Sequence, residues 1–319
     1  MAAEHPPSWT GEAFGLTLRS GFELPGLEPG EGRPQGSRLV ELAMAEGVEE
    51  PVAWEERLQE WHYPDGTLGL TIDRHRQRGY RFYLYSAGVF ELSADGGRVL
   101  CRLDPDFADQ WHWRRYLIGQ VLPFAALLQG LEVFHASAVE IGGGAVLLAG
   151  GSGLGKSTLA LNMHLAGAGF LADDSLAVES LDGRLVAHPA IATAKVRQVA
   201  RGLLREDRHG ALVETVSEDE HETRFLVRTA AGPLPLAVVC MLELGEEPGT
   251  LEVAEGKADP WELLGSTFNS LVGEESRLQA QLELCARIAK EVRFLRLRVG
   301  PQPEAAAAQT LVEHLAMRI

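Results

Sequence analysis

The residues whose types and spacing could do chemistry fall in one stretch of the chain. Gly150-Gly151-Ser152-Gly153-Leu154-Gly155-Lys156-Ser157 matches the pattern G-x-x-x-x-G-K-[ST]. Glycines let the backbone take conformations that a Cβ blocks, so successive N–H groups turn inward as an anion nest. A helix starting near Gly155 adds its positive end. Lys156 can then reach the β- and γ-phosphates of a nucleotide, and Ser157 Oγ can ligate Mg²⁺. The expected phosphate-binding residues are Gly151, Ser152, Gly153, Leu154, Gly155, Lys156, Ser157 and Thr158. The competing reading is a glycine-rich turn that fits the pattern by chance. The flanks argue against it, since an apolar strand at Ala145–Leu148 precedes the loop and a helix at Gly155–Ala166 follows.

Two carboxylates come next. Phe170-Leu171-Ala172-Asp173-Asp174 sets two Asp directly after a short strand. A right-handed strand–helix–strand crossover brings the end of that strand beside the phosphate loop. One carboxylate can bind Mg²⁺, and the other can accept a proton from an incoming hydroxyl. A turn of two solvated Asp is the alternative. His135 is the third element, on an expected strand Val133–Ile141. Pairing that strand antiparallel across a turn at Gly142–Gly144, with an assumed register, sets His135 opposite Gly151. A role near the γ-phosphate or metal stands beside that of a satisfied core histidine.

Together these elements resemble the catalytic domain of HPr kinase/phosphorylase. The residues that carry the likeness are Phe134-His135-Ala136-Ser137-Ala138-Val139, the loop Gly150–Ser157, and Leu171-Ala172-Asp173-Asp174, within Glu132–Glu179. The resemblance implies the compact phosphate-loop fold shared with ATP-type phosphoenolpyruvate carboxykinase. It implies Asp173 as general base, Asp174 and Ser157 at Mg²⁺, and His135 near the transferred phosphate. The family's later Glu- and Gly-rich segment has no recognisable copy; its counterpart region is His188–Arg197. There Lys195 and Arg197 could serve the phosphates or simply end a solvated strand. The chain is more similar to stand-alone HPr-kinase-like proteins of peptide-modification systems, some of which phosphorylate a precursor-peptide serine. The resemblance also implies self-association.

Other elements must position these residues. From Glu132 onward strands and helices alternate, which argues α/β. Further short strands are expected at Phe170–Ala172, Leu176–Val178 and Leu185–Ala187, and a buried one at Pro233–Leu244. Helices are expected at Glu274–Lys290 and Glu304–Met317. Residues 1–108 read as a β-rich domain, with strands at Phe14–Leu24, Thr67–Asp73 and Tyr80–Leu92. Gly26–Gly36 reads as a loop and Asp95-Gly96-Gly97 as a hairpin turn. Trp54 and Trp61 read as core or interface anchors. Asp109–Gln129 reads as a connecting helix stopped by Gly130, with Trp111 and Trp113 packing on it. The catalytic domain is then 131–319. The acidic run Glu214–Glu222 reads as a solvated loop, with a lid or basic-peptide site as the alternative. Gly265–Asn269 reads as a loop or helix cap that could approach the site.

Composition sets the outer bounds. The 319 residues are 45% hydrophobic and 23% charged, enough apolar material for about two domains. A net charge of −16 makes nucleic acid or an anionic membrane a poor partner. No apolar run approaches the roughly 20 residues of a bilayer span, and no secretory leader is visible. Three scattered cysteines form no CxxC pair, so a reducing cytoplasm is expected. The expected function is a Mg²⁺- and ATP-dependent kinase acting on a serine-type hydroxyl of a peptide or protein. A small-molecule kinase and an ATP-gated binding module are the alternatives. The paired Asp argues against the last, because binding alone needs only one metal carboxylate.

Overall fold

Both halves of the chain alternate apolar and polar residues, and both build mixed structure in which sheet dominates. The computed structural model describes residues 9–29, 38–45, 53–104, 110–207, 210–230, 232–247, 249–268, 271–300 and 305–319. The chain divides into two units, Met1–Leu131 and Glu132–Ile319.

Among its described residues the first unit holds nine strands: β1 (Trp9–Ala13), β2 (Leu16–Ser20), β3 (Glu28–Pro29), β4 (Leu39–Met44), β5 (Glu56–His62), β6 (Leu68–His75), β7 (Gly79–Leu84), β8 (Gly88–Leu92) and β9 (Arg98–Leu103). They form one sheet in the order β3-β1-β2-β4-β9-β8-β7-β6-β5. One expected strand is shortened by a turn and one is split. Phe14 and Gly15 take φ of +57° and +73° and make the hairpin turn between β1 and β2, so the expected strand Phe14–Leu24 is cut to Leu16–Ser20. Ser86 at φ +60° interrupts Tyr80–Leu92. In both cases the alternation runs on through the turn, so periodicity alone cannot see it. Part of the expected loop, residues 30–36, lies outside the described residues, as do Asp109, Asn269 and Glu304.

The expected helix is α1 (Gln110–Tyr116), a π turn at Leu117–Val121, and α2 (Leu122–Leu128). Phe124 on α2 meets Tyr80 and Phe82 edge-on, at 4.9 and 5.3 Å between ring centroids. Trp113 is buried against Phe22. Trp54 lies under the Arg81 guanidinium. Trp61, by contrast, is exposed beside Tyr63.

The second unit contains β10 (Glu132–Phe134), β11 (Ser137–Ile141), β12 (Gly144–Ala149), α3 (Lys156–Leu165), β13 (Gly169–Ala172), β14 (Leu176–Leu181) and β15 (Arg184–His188). There follow β16 (Thr193–Arg197), α4 (Gln198–Arg201), β17 (Leu212–Glu218), β18 (Glu222–Val227), β19 (Leu234–Leu244), β20 (Leu251–Glu255), α5 (Pro260–Leu264), α6 (Glu275–Glu291), β21 (Arg293–Val299) and α7 (Ala305–Ala316). The large sheet runs β10-β14-β15-β19-β12-β11-β13, with β21 on β19 and β20 on β21. β12, β19 and β21 are parallel, and the remaining pairs are antiparallel. α3, buried on all sides from Leu159 to Leu165, and α7, through Leu311 and Leu315, share one apolar core with this sheet. β16, β18 and β17 form a separate three-stranded sheet.

Three expectations in this unit need correction. The strand Val133–Ile141 is broken at His135 and Ala136. The hairpin after it turns on two residues, Gly142 and Gly143, both at positive φ. Ile141 therefore pairs with Gly144, one residue away from the assumed register, and His135 is not set opposite Gly151. Finally, the acidic run is not a loop, because Glu214–Glu218 belong to β17, a strand whose pairing with β18 shifts register twice, and Glu222 opens β18. Its charges are tolerated in a strand because that strand is mostly exposed.

Among the described residues no helix is long and apolar enough to cross a membrane. Cys101, Cys240 and Cys285 are buried free thiols.

Candidate functional site

The ends of the sheet order are joined by the chain itself. β10 continues into β11, and β13 continues into β14, so two neighbouring strands pass together from one end of the order to the other. Phe134 pairs with Leu176, and Ala138 pairs with Ala172. The same antiparallel register thus holds on both sides of a gap. In the gap His135, Ala136 and Ser137 oppose Asp173, Asp174 and Ser175. Their ladder hydrogen bonds are interrupted there, which frees side chains and backbone for other partners. This double break positions two of the three sequence elements.

The third is the loop after β12. Gly150 takes φ +138°, and a Cβ there would lie 2.8 Å from the Leu242 carbonyl oxygen of β19. Only glycine seats the loop this close to the neighbouring strand. Gly155, at φ +88°, is the N-cap of α3 and contributes no side-chain bond. The first amides of that helix are left for an anion. Gly151, Ser152 and Gly153 are exposed, whereas Leu154, Gly155, Ser157 and Thr158 are half-buried. Lys156 is 7% exposed, and its Nζ donates to the carbonyls of Gly150 and Gly151 at 2.8 and 3.1 Å. Burial pulls its pKa down, Asp174 and Asp173 oppose that, and Lys195 adds to it.

Asp173 is held at both oxygens. Oδ1 accepts from Ser137 Oγ at 2.9 Å, and Oδ2 accepts from the Lys195 backbone N–H at 2.9 Å. Asp174 sits in the left-handed region at φ +69°, and Lys195 Nζ donates to its Oδ2. That conformation costs a non-glycine residue about 1 kcal/mol, although Asp tolerates it better than most. Burial disfavours the Asp174 anion, but Lys195, His135 and Arg224 outweigh burial and hold the carboxyl below its usual range.

The cations come from the three-stranded sheet. Lys195 and Arg197 alternate on β16, so they share a face. Arg224 on β18 is the register partner of Lys195. Arg197 Nη1 lies 3.9 Å from where a Cβ on Gly153 would be, over the tip of the loop.

His135 is fixed through its backbone. Its N–H donates to the Ser266 carbonyl at 2.7 Å, Thr267 bridges to Phe134, and Gln281 Nε2 donates to Thr267 Oγ1 at 2.6 Å. The segment after α5 therefore does approach the site. Burial, then Lys156, pull the imidazole pKa down, with Lys195 adding to this and Asp174 and Asp173 opposing. The balance favours a neutral ring at pH 7.

The structure thus brings Lys156, Asp173, Asp174 and His135 into one electrostatic cluster beside the loop. Sequence reasoning gave Ser137 no role, left Lys195 open and passed over Arg224. Alternation in Glu222–Val227 was the available signal for Arg224, masked by the acidic residues before it. The donor set of Ser157 hydroxyl and Asp174 carboxylate is all oxygen, which suits a hard cation that also takes phosphate oxygens and water. Among the described residues, no three His, Cys, Asp or Glu converge as a cage made by protein alone. The cysteines lie outside this chemistry, since burial pushes the thiols of Cys240 and Cys285 up to about 12 and Cys101 higher still.

No family model matches the sequence, and no curated protein matches it. Among solved structures, the HPr(Ser) kinase/phosphatase from Coxiella burnetii is similar over 59% of this chain and 99% of its own. The identity is 14% and the TM-score 0.29, so this likeness carries no argument about the site.

Proposed function

We infer that this chain is an ATP-dependent phosphotransferase acting on a serine-type hydroxyl of a peptide or protein. The observation that carries the reading is the placement of Asp173 in the same cluster as a glycine-rich loop and its lysine, Lys156. A nucleotide-binding protein needs the loop; a second, hydrogen-bonded carboxylate beside it suits proton transfer.

In this reading the phosphates of ATP lie on residues 151–158. The amides of the loop and of the first turn of α3, with Lys156, offset charge on the transferring group. The acceptor oxygen bonds to the γ-phosphorus as its bond to the β–γ bridging oxygen breaks. ADP leaves, and the hydroxyl proton passes to the Asp173 carboxylate. Ser137 and the Lys195 amide keep that carboxylate aimed. Neutral His135 lines the same space without repelling or trapping the anion. Ser157 and Asp174 would hold Mg²⁺, which would supply neutralisation of phosphate charge.

The test is label transfer from γ-labelled ATP with Mg²⁺. Acceptors are serine-containing peptides, the products of neighbouring genes and free serine, with Lys156→Ala as control. Label on a peptide or protein, absent in the control, is the expected result. Label on free serine alone would move the assignment to a small-molecule kinase. Tight ATP binding with no label and no ADP across the panel would favour a binding module.

A further inference from the structure

We propose that Lys195 is a second phosphate-binding lysine, which contacts the terminal phosphate of the nucleotide and is held ready for it by Asp174. The proposal rests on the nucleotide reading above and adds to it the residue that tells a triphosphate from a diphosphate.

The charges are placed for an anion. Lys195 and Arg224 are direct partners across β16 and β18, and like charges so placed weaken a ladder. Arg224 is relieved by Glu222 at 2.9 Å on its own strand. Lys195 is relieved by Asp174. Two cations side by side at Asp174 suit an anionic ligand, which can replace the carboxylate that Lys195 gives up.

Lys195 is also anchored at both ends. The Lys195 backbone N–H bonds Asp173 while its side chain bonds Asp174, so one residue ties β16 to both carboxylates. The backbone bond fixes where the side chain starts. The four-carbon stem leaves the ammonium free to change partner without moving the strand. Asp174 is also the carboxylate argued above to take the cation, and Lys195 is the group that must give it up. An ammonium released there is beside the transferring phosphate.

Lys195 differs from its neighbour Arg197 in exposure. Arg197 lies over the loop tip but is exposed. Water competes for its charge. Lys195 is only 28% exposed at its side chain, and its charge is already spent inside the site.

The experiment compares fluorescent ATP and ADP binding to the full chain in Mg²⁺, for wild type, Lys195→Met and Lys195→Arg. Both variants keep the backbone bond to Asp173. The Met variant is expected to bind ATP about 10-fold more weakly and ADP within about 2-fold of wild type, the loss of one charge-assisted contact. The Arg variant, which keeps the charge, should retain most of the preference for ATP. If Met weakens ATP and ADP equally, Lys195 is only a structural counter-ion and the proposal fails. If neither ligand is affected, it fails too. Wild-type protein that binds neither nucleotide would instead refute the nucleotide reading itself.

Discussion

Replacing Asp173 by Asn separates the chemistry of the site from its architecture. Asp173 accepts two hydrogen bonds, one from a hydroxyl and one from a backbone N–H. The N–H can only donate, so the Asn carbonyl oxygen must face Lys195. The Asn amide then faces Ser137, whose hydroxyl can turn round and accept. Both contacts survive, and the side chain keeps its shape. What is lost is one negative charge and the capacity to take a proton. Exchanging charged for neutral hydrogen bonds costs about 1 kcal/mol in stability. Loss of a general base costs about 10²–10⁴-fold in turnover. The variant should therefore fold, bind ATP at least as well as wild type, and transfer label at least about 100-fold more slowly. Thermal unfolding, fluorescent-nucleotide titration and initial-rate label transfer measure the three quantities. Transfer by Asp173→Asn at the wild-type rate would refute the base assignment. Loss of folding or of nucleotide binding would show that the two hydrogen bonds were misread.

Other consequences follow from named contacts. Gly150→Ala sets a Cβ 2.8 Å from the Leu242 carbonyl and forces alanine to a positive φ, so it should lower stability by about 1–3 kcal/mol in denaturant unfolding. An unchanged midpoint would contradict that packing. Burial raises the Glu132 carboxyl from 4.5 to about 6 despite its ion pair with Arg277. The folded chain then holds this proton more tightly than the unfolded chain, so the stabilisation is full below about pH 4.5 and lost as pH rises through about 6. Relative to Glu132→Gln, wild type should lose about 2 kcal/mol between pH 4.5 and 7, and a gap that does not change with pH would refute it. Asp73 is buried between Arg57 and Arg81, and Asp73→Ala should destabilise the chain by about 1–2 kcal/mol by removing the carboxylate that both guanidiniums bond, as read by chemical unfolding. The three buried thiols should resist an aromatic disulfide reagent in native buffer and react fully in denaturant.

What the sequence made legible was local. The loop 150–158 is readable because its glycines, lysine and helix start are contiguous, and each carries its reason within a few residues. Ala145–Leu148 and Gly155–Ala166 were visible as strand and helix for a similar cause, an apolar run in one and a glycine start before helix-forming residues in the other. The break at His135 and Ala136 was not visible. It exists because β10–β11 and β13–β14 cross between the ends of one sheet together, and that is a fact about pairing at long range. The one-residue error in register had a smaller origin, since three consecutive glycines do not say which two form the turn. Lys195 and Arg224 meet only through β16 and β18, strands whose existence depends on each other. Ser137 lay inside the motif, but its hydroxyl gains a role only when Asp173 is set opposite it.

Every catalytic role proposed for this chain requires residues 150–158 to bind nucleotide phosphates. Equilibrium titration of ATP by calorimetry, with wild type and Lys156→Ala in parallel, tests this directly. The prediction is one site per chain in wild type, and affinity lower by about 10- to 100-fold in the variant, the worth of a buried charge-assisted contact. No heat of binding in wild type, or equal affinity in the two proteins, would contradict it.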